Sequence, residues 1–208
     1  MKRFLIIALS VACSSVCYCQ VDEIAQTVKK NNDQIKSFST KFTELQYSRS
    51  SRQSFDMYGK LYFDAIGRLA MIYNDPEDDY IIIDGSTFSA KHNGKKNSFQ
   101  ADKQNTLSEF SDCLQRAMAG DVSAIAEALN MDIRSKADNQ YYNFTLLRQN
   151  TKRLKKHQIK RLTLRYDKRT SALVYMTIEE ASGNTTTYAL QHPQINATIP
   201  DNVFIPKQ

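Results

Sequence analysis

The residue types that bind metals or act as nucleophiles are few in this chain and lie far apart. The three histidines, His92, His157 and His192, stand at no metal-ligand spacing from one another, from a cysteine or from a paired carboxylate. The Gly-x-Ser-x-Gly, His-Glu-x-x-His and Cys-x-x-Cys motifs and the phosphate-binding glycine loops are absent from the sequence. We therefore expect no metal, no cofactor and no enzymatic activity, with catalysis by residues distant in sequence as the open alternative.

Two isolated features could carry chemistry, and each has a simpler interpretation. Cys113 could be a nucleophile, but Phe110, Leu114 and Ala117 share its predicted helix face, where a free cysteine usually packs as a small hydrophobic side chain. The acidic run at 76–79 could be a calcium loop, but no ordered alternation of oxygen ligands follows it. We expect a buried thiol and a solvated turn.

The densest charge run of the sequence is Lys152–His157, which lies between two predicted strands. A run of this kind is usually the solvated tip of a hairpin, and this interpretation is favoured. The alternative is a docking patch for an acidic partner or an anionic membrane surface, because clustered basic residues raise the rate of encounter with negative surfaces.

The first residues have the order of parts of a cleavable signal peptide. Two basic residues precede an uncharged apolar run at 4–12, and the small side chains of Cys17 and Cys19 suit cleavage before Gln20. The apolar run is too short for a mature transmembrane helix, which needs about 20 residues. A membrane anchor and a lipid-modified cysteine are the alternatives. We predict a signal peptide at 1–19 and an exported, periplasmic domain at 20–208.

Composition limits what the exported domain could be. Cleavage after residue 19 leaves Cys113 as its sole cysteine, so no internal disulfide can form and a packed core must hold one domain together. The formal net charge of the chain is +6, spread along the sequence. Because no motif of aromatic residues interleaved with basic residues accompanies this charge, we expect no nucleic acid partner.

Hydropathy patterns predict a helix, a first set of strands, two helices and a second set of strands. Apolar residues at spacings of three, four and seven predict an amphipathic helix over 21–35. Two more helices are predicted after a capping box at 106–109 and after the cap residue Asp121. Period-two alternation between turn residues predicts the strands. These strands cover 37–47, 57–63, 69–73, 80–83, 87–90, 131–134, 141–147, 159–166, 173–178 and 185–190.

Consecutive strands joined by tight turns predict one large antiparallel sheet. A sheet of roughly ten strands must curl or close on itself. The predicted helices can bury their apolar faces only across the curved sheet.

Several short motifs stand in a characteristic order along the chain. They are Phe42–Glu44, Gly59–Phe63 and Asp84–Phe88 in the first half, and Gly183–Tyr188 and Asp201–Phe204 near the end. This order resembles the outer-membrane lipoprotein carrier family, LolA, over most of the predicted mature chain. Members of that family have a Phe-x-Gln strand, a Gly-x-Leu-x-Phe strand and an Asp-Gly turn followed by an aromatic residue.

The resemblance implies a fold of the α+β class that is mainly β: an incomplete antiparallel β-barrel, a curved sheet of about ten strands, with a lid of short helices. It also implies that the apolar concave side holds the acyl chains of a lipoprotein during passage across the periplasm. The implied partners are acylated lipoproteins or lipids, an inner-membrane release complex and an outer-membrane acceptor. We expect the protein to be a monomer.

The sequence departs from the family at one position that matters. An Arg-Pro pair usually follows the Gly-x-Leu-x-Phe strand, and its arginine is tied to closing the lid. Here the matching residues are Ala65 and Ile66. Arg68, three residues after Ala65, is the candidate for the lid-closing role.

Alternate positions on the predicted strands supply candidates for an apolar, ligand-binding cavity. In a half-open barrel, the residues that line an empty cavity also form part of the hydrophobic core when the helical lid covers the cavity. The candidates are Leu61, Phe63, Met71, Ile82, Phe144, Leu146, Leu164 and Met176.

The leading hypothesis is a periplasmic carrier that binds acyl chains in this cavity and delivers them to the outer membrane. One rival is a non-carrier module on the same fold that senses lipoproteins or interacts with a membrane partner. A second rival is a hydrolase, for which a titratable pair facing a deep pocket would be the sign.

Overall fold

Residues 23–85, 87–100 and 106–206 are described by the structure, a computed structural model. The predicted signal peptide at 1–19 lies outside them. The helices are α1 (23–32), α2 (Thr106–Met118) and α3 (Val122–Leu129). The strands are β1 (Ser37–Ser48), β2 (Gln53–Asp64), β3 (Leu69–Asp75), β4 (Tyr80–Asp84), β5 (Thr87–His92), β6 (Lys95–Gln100), β7 (Met131–Ala137), β8 (Tyr141–Arg148), β9 (Ile159–Asp167), β10 (Leu173–Glu180) and β11 (Thr185–Ile195). Short 3-10 turns occupy Thr151–Arg153 and Asp201–Phe204.

The eleven strands of the described residues all belong to one antiparallel sheet, in the order β6-β5-β4-β3-β2-β1-β11-β10-β9-β8-β7. Pairing of β1 with β11 joins the two halves of the chain, and β6 and β7 form the two edges. The sheet curls because adjacent strands twist, and its edges stay apart as an open seam. The predicted incomplete barrel is thereby confirmed.

The sheet has one strand that the sequence patterns do not predict. β6 is missed because Lys95–Gln100 is mostly polar and shows no apolar alternation. The sequence signal for β6 is the dipeptide Asn93-Gly94 before it, which favours a hairpin turn of type I′. Both residues have the positive φ that this turn requires, 50° and 76°.

Inward-facing residues of the central strands pack against all three helices in one hydrophobic core. This core contains Val28 of α1, Leu114 of α2, Ile125 of α3 and the strand residue Leu61. The hydroxyl of Tyr166, itself fully buried, donates a hydrogen bond of 2.8 Å to the carbonyl of Ala117 in α2. The helices are therefore fixed to the concave side of the sheet, as predicted.

Local capping explains where α3 begins. The Asp121 carboxylate accepts a hydrogen bond of 3.2 Å from the backbone N–H of Ala124, so Asp121 is the N-cap of α3, as predicted.

Within the described ranges, no helix has both the length and the apolar character that a membrane span requires.

A smaller apolar cluster lies on the convex face of the sheet. It joins Ala70, Tyr80 and Ile82 to Phe204 of the C-terminal 3-10 turn. The expectation that Ile82 faces the concave side is therefore wrong. Tyr80 and Ile82 share one face of β4, whereas Ile81 and Ile83 belong to the main core, because successive side chains of a strand alternate between faces.

Candidate functional site

A cavity of about 580 Å³ lies at one end of the half-barrel, on its concave side. That volume falls within the range of about 300–1,000 Å³ that is usual for small-molecule pockets. The cavity sits where β1, β3, β5 and β10 end. Its apolar walls include Met57, Ile81, Phe88, Phe110, Ile159 and Ile178. Because Phe110 belongs to α2, the helical lid forms part of the wall.

Two exposed histidines mark the mouth of this cavity. The side chains of His92 and His157 line it while staying 65% and 68% exposed. Nδ1 of His92 lies 2.9 Å from Oδ2 of Asp79, and Nδ1 of His157 lies 3.3 Å from Oε2 of Glu180. Each pair joins two neighbouring segments at the rim.

Two buried carboxylates line the cavity: that of Asp79, which faces His92, and that of Glu44 in β1. Glu44 is 2% exposed. The Tyr73 hydroxyl donates a hydrogen bond of 2.5 Å to its Oε2, and the Gln46 amide donates one of 2.7 Å to its Oε1. Tyr188 adds a third side-chain hydrogen bond. The carboxylate is thus held by three donors, which is the usual condition for burying such a group.

Burial sets the protonation of this group. Desolvation raises the pKa of Glu44 above its ordinary value, and the hydrogen bonds from Tyr73, Gln46 and Tyr188 lower it by less. Burial also raises the pKa of Tyr73 and of Tyr188 well above the ordinary value, so both phenols stay protonated donors. Glu44 and Tyr73 therefore face the cavity as a hydrogen-bonded titratable pair, which is the sign stated above for the hydrolase alternative, so that alternative stays open.

Replacing Glu44 by glutamine is expected to change how stability depends on pH. Because the folded-state pKa is raised, Glu44 contributes stability below its unfolded-state pKa and loses that contribution as the pH rises through the folded-state pKa. Wild-type protein should therefore lose stability relative to Glu44→Gln when the pH is raised from about 4.5, the ordinary pKa of the group, to neutral. Urea unfolding of both proteins at the two pH values measures the difference. An equal stability difference between the two proteins at both pH values would contradict the raised pKa of Glu44.

Glu44 is absent from the predicted cavity residues, although the sequence carries a signal for it. Phe38 and Phe42 face the core, and period-two alternation along β1 places Glu44 and Gln46 in the same inward row. An acidic residue that continues an apolar row is a candidate site residue.

The remaining chemistry candidates are accounted for within the described residues. Cys113 is buried, and desolvation raises the pKa of its thiol well above the ordinary value, which makes it a poor nucleophile. In the same part of the chain, no group of three or more His, Cys, Asp or Glu side chains is placed to hold a metal ion.

Seven of the eight predicted cavity residues lie together in the main core with the helices. They are Leu61, Phe63, Met71, Phe144, Leu146, Leu164 and Met176. The cavity continues the same inward rows toward the strand ends, where Tyr73 follows Met71 and Ile178 follows Met176 two residues later. The helices fill the space over the predicted residues, so this cavity opens beyond them. Ligand binding by those seven residues stays a prediction.

The lid is attached to the sheet by a group that we name the lid latch, Glu109, Arg148 and the backbone N–H of Ile159. Nη2 of Arg148 in β8 donates to Oε1 of Glu109 in α2 at 2.6 Å, and the N–H of Ile159 donates to the same oxygen at 3.0 Å. Both charged side chains are only 14% exposed. The carboxylate of Glu109, which the sequence assigns to a capping box, therefore accepts hydrogen bonds from the sheet.

Arg68 has its partners away from the helices. Its guanidinium donates to Asp64 at 2.7 Å and to Asp201 at 3.1 Å, and it stacks over the ring of Phe204 at 4.4 Å. The lid contact in this loop is made by the carbonyl of Gly67, which accepts a hydrogen bond of 2.5 Å from Gln115 of α2. The side chain of Arg68 fastens the C-terminal segment, and a lid-closing role for it stays a prediction.

An unclosed barrel with a helical lid and a cavity on its concave side is the architecture that the resemblance to the LolA family implies. The sequence model of the family described as "Outer membrane lipoprotein carrier protein LolA" matches residues 33–207. The chain therefore belongs to the LolA family, a family of lipoprotein carriers rather than of enzymes. No curated protein matches the chain at a significant level.

Solved structures share the fold at very low sequence identity. A DUF1329 family protein from Desulfovibrio piger is 9% identical, with a TM-score of 0.51 over 90% of this chain and 96% of that chain. An uncharacterized conserved protein from Thermus thermophilus is 7% identical, with a TM-score of 0.52 over 88% and 91%. A chain of the MucA/MucB complex of Pseudomonas aeruginosa is 8% identical, with a TM-score of 0.51 over 89% of this chain and 60% of that chain. These likenesses show the fold alone.

Proposed function

We propose that this protein is a periplasmic carrier that takes acyl chains of lipoproteins into the cavity and delivers them to the outer membrane. The donor in this proposal is an inner-membrane release complex and the acceptor lies at the outer membrane, the partners that the resemblance to the family implies. In this proposal the protein is exported by the signal peptide at 1–19 and acts as a monomer without catalysis.

The observation that carries the proposal is the cavity itself. Its walls are predominantly apolar, and α2 closes part of it through Phe110. Each methylene removed from water contributes about 0.8 kcal/mol, so a lipid tail can be held by many weak contacts and released when the lid moves. The lid latch is the contact that would have to break or shift.

Filling the cavity with Ala90→Trp is expected to weaken acyl-chain binding by at least about tenfold. Ala90 lines the cavity from β5, and an indole there excludes at least two methylenes, which corresponds to about tenfold in affinity. Titration of delipidated protein with a fluorescent fatty acid measures the change.

Lys41→Trp is the matched control for the cavity-filling variant. Lys41 is an exposed residue of the central strand β1, on the face opposite Phe42, so its replacement adds the same ring outside the cavity. Equal affinities of the two variants would argue against this cavity as the binding site. The carrier function would be contradicted if the delipidated wild-type protein bound no fatty acid or formed no soluble complex with a lipoprotein.

Native mass spectrometry of the protein purified from its own cell envelope tests the cargo directly. A bound mass equal to an acylated protein supports lipoprotein transport. A bound free lipid would indicate a lipid carrier, and an empty protein that ignores added lipoprotein would count against both.

The second candidate is an interaction or sensing module on the same fold. It is favoured by the fold that the chain shares with a component of the MucA/MucB complex. A stable complex with a membrane protein that forms equally well with wild type and with Ala90→Trp would support this candidate over the carrier.

A further inference from the structure

Two basic segments meet at the mouth of the cavity, one from each side of the open seam. His92 ends β5 near the edge strand β6, whereas His157 precedes β9 near the other edge, and both line the cavity. The hairpin 91–96 and the loop 149–158 are therefore brought together at this rim by the curl of the sheet. The chain separates them by more than fifty residues, so the tertiary structure alone creates this arrangement.

Both segments carry exposed positive charge. The loop 149–158 contains Lys152, Arg153, Lys155 and Lys156, all exposed. The hairpin contributes exposed Lys95 and Lys96, and Lys91 lines the cavity. We name these residues the basic rim.

The acidic residues at the mouth offset only part of this charge. Asp79 and Glu180 face His92 and His157, which carry positive charge only when protonated, so both carboxylates count against the basic rim. Glu77 and Asp78 stand in the turn that adjoins Asp79, so the seven basic residues of the rim stand against four acidic residues. Positive charge is therefore in excess around the mouth of the cavity.

Exposed aromatic side chains stand at the same end of the barrel. Phe55 is 55% exposed and Tyr47 is 37% exposed, and both lie beside the β1–β2 turn. Aromatic residues of this kind favour the interface between lipid headgroups and acyl chains. Basic residues combined with aromatic ones indicate a bilayer surface more strongly than an acidic protein.

We propose that the basic rim docks the cavity mouth on an anionic lipid bilayer, so that the donor or the acceptor exchanges the acyl chain with the cavity at the membrane surface. This inference rests on the proposed carrier function, because it supplies the surface from which or to which the chain moves. It adds a lipid surface of stated charge as a partner.

The test is binding to vesicles of phosphatidylglycerol and phosphatidylcholine compared with vesicles of phosphatidylcholine alone. The rim variant is Lys152→Glu/Lys155→Glu/Lys156→Glu. The matched control is Lys36→Glu/Lys136→Glu/Arg169→Glu, which reverses three exposed charges at the opposite end of the barrel. Wild type should bind the anionic vesicles, more weakly at high salt, and the rim variant should bind them at least about tenfold less tightly than the control variant does.

Two outcomes would overturn the inference. One is no preference of the wild type for anionic vesicles, which would leave an acidic protein as the occupant of the rim. The other is equal loss of binding in the rim and control variants, which would reduce the effect to net charge. Fatty-acid titration of the same proteins separates membrane docking from acyl-chain binding. A rim variant that still binds fatty acid retains the cavity site, even when it no longer binds vesicles.

Discussion

Replacing Gly59 by alanine is expected to lower the free energy of unfolding by about 3 kcal/mol or more. A Cβ atom on Gly59 would lie 2.1 Å from the carbonyl oxygen of Ile72 and 2.9 Å from Cα of Tyr73. Both atoms belong to the backbone of β3, so no side-chain rotation relieves the overlap. The strand itself has to move, which disturbs the ladder beside it.

Gly59 also allows β1 and β3 to place their aromatic residues beside Glu44 in the cavity wall. Gly59 lies between Phe42 of β1 and Tyr73 of β3 in the sheet. The rings of Phe42 and Tyr73 meet edge to face above it, with centroids 5.1 Å apart. A displaced β3 would also shift the Tyr73 hydroxyl from Glu44. We therefore expect weaker fatty-acid binding in addition to lower stability.

Urea unfolding measures the first effect, with Gly94→Ala as the control. Gly94 has φ +76°, and a Cβ atom added to it would meet nothing within 4 Å, so that change costs backbone strain of about 1–2 kcal/mol. A Gly59→Ala protein no less stable than Gly94→Ala would contradict the close approach of β3.

Breaking the lid latch with Glu109→Ala is expected to cost about 2–4 kcal/mol and to loosen α2. The change leaves the guanidinium of Arg148, which is 14% exposed, without its carboxylate, and it also removes the acceptor for the N–H of Ile159. A buried charge without its partner costs more than the intact pair contributes. Amide hydrogen exchange of residues 108–118 should accelerate, because local opening of the lid becomes easier.

Asp112→Ala provides the matched control on the same helix. Asp112 pairs with Arg116 in an ion pair whose side chains are 46% and 38% exposed, and such surface pairs contribute about 0–1 kcal/mol. Equal exchange rates of α2 in the Glu109→Ala and Asp112→Ala proteins would show that the latch does not hold the lid.

Most of the fold follows from local patterns in the sequence. Alternation predicts ten of the eleven strands, and helical spacing with the Asp121 cap predicts the helices. β6 escapes because its polar residues carry no alternation. The sequence pattern assigns Ile82 to the wrong face because four consecutive apolar residues, Tyr80–Ile83, hide the period of two.

The sequence by itself determined that the chain builds a curved, lidded sheet of the LolA family, because apolar periodicity, turn residues and short motifs are local properties. Only the tertiary structure decided where the cavity lies. The helices fill the sheet over the predicted residues and leave space at the strand ends, where Glu44 is buried and the two basic segments converge. Packing between distant segments sets that outcome, and no window of sequence contains it.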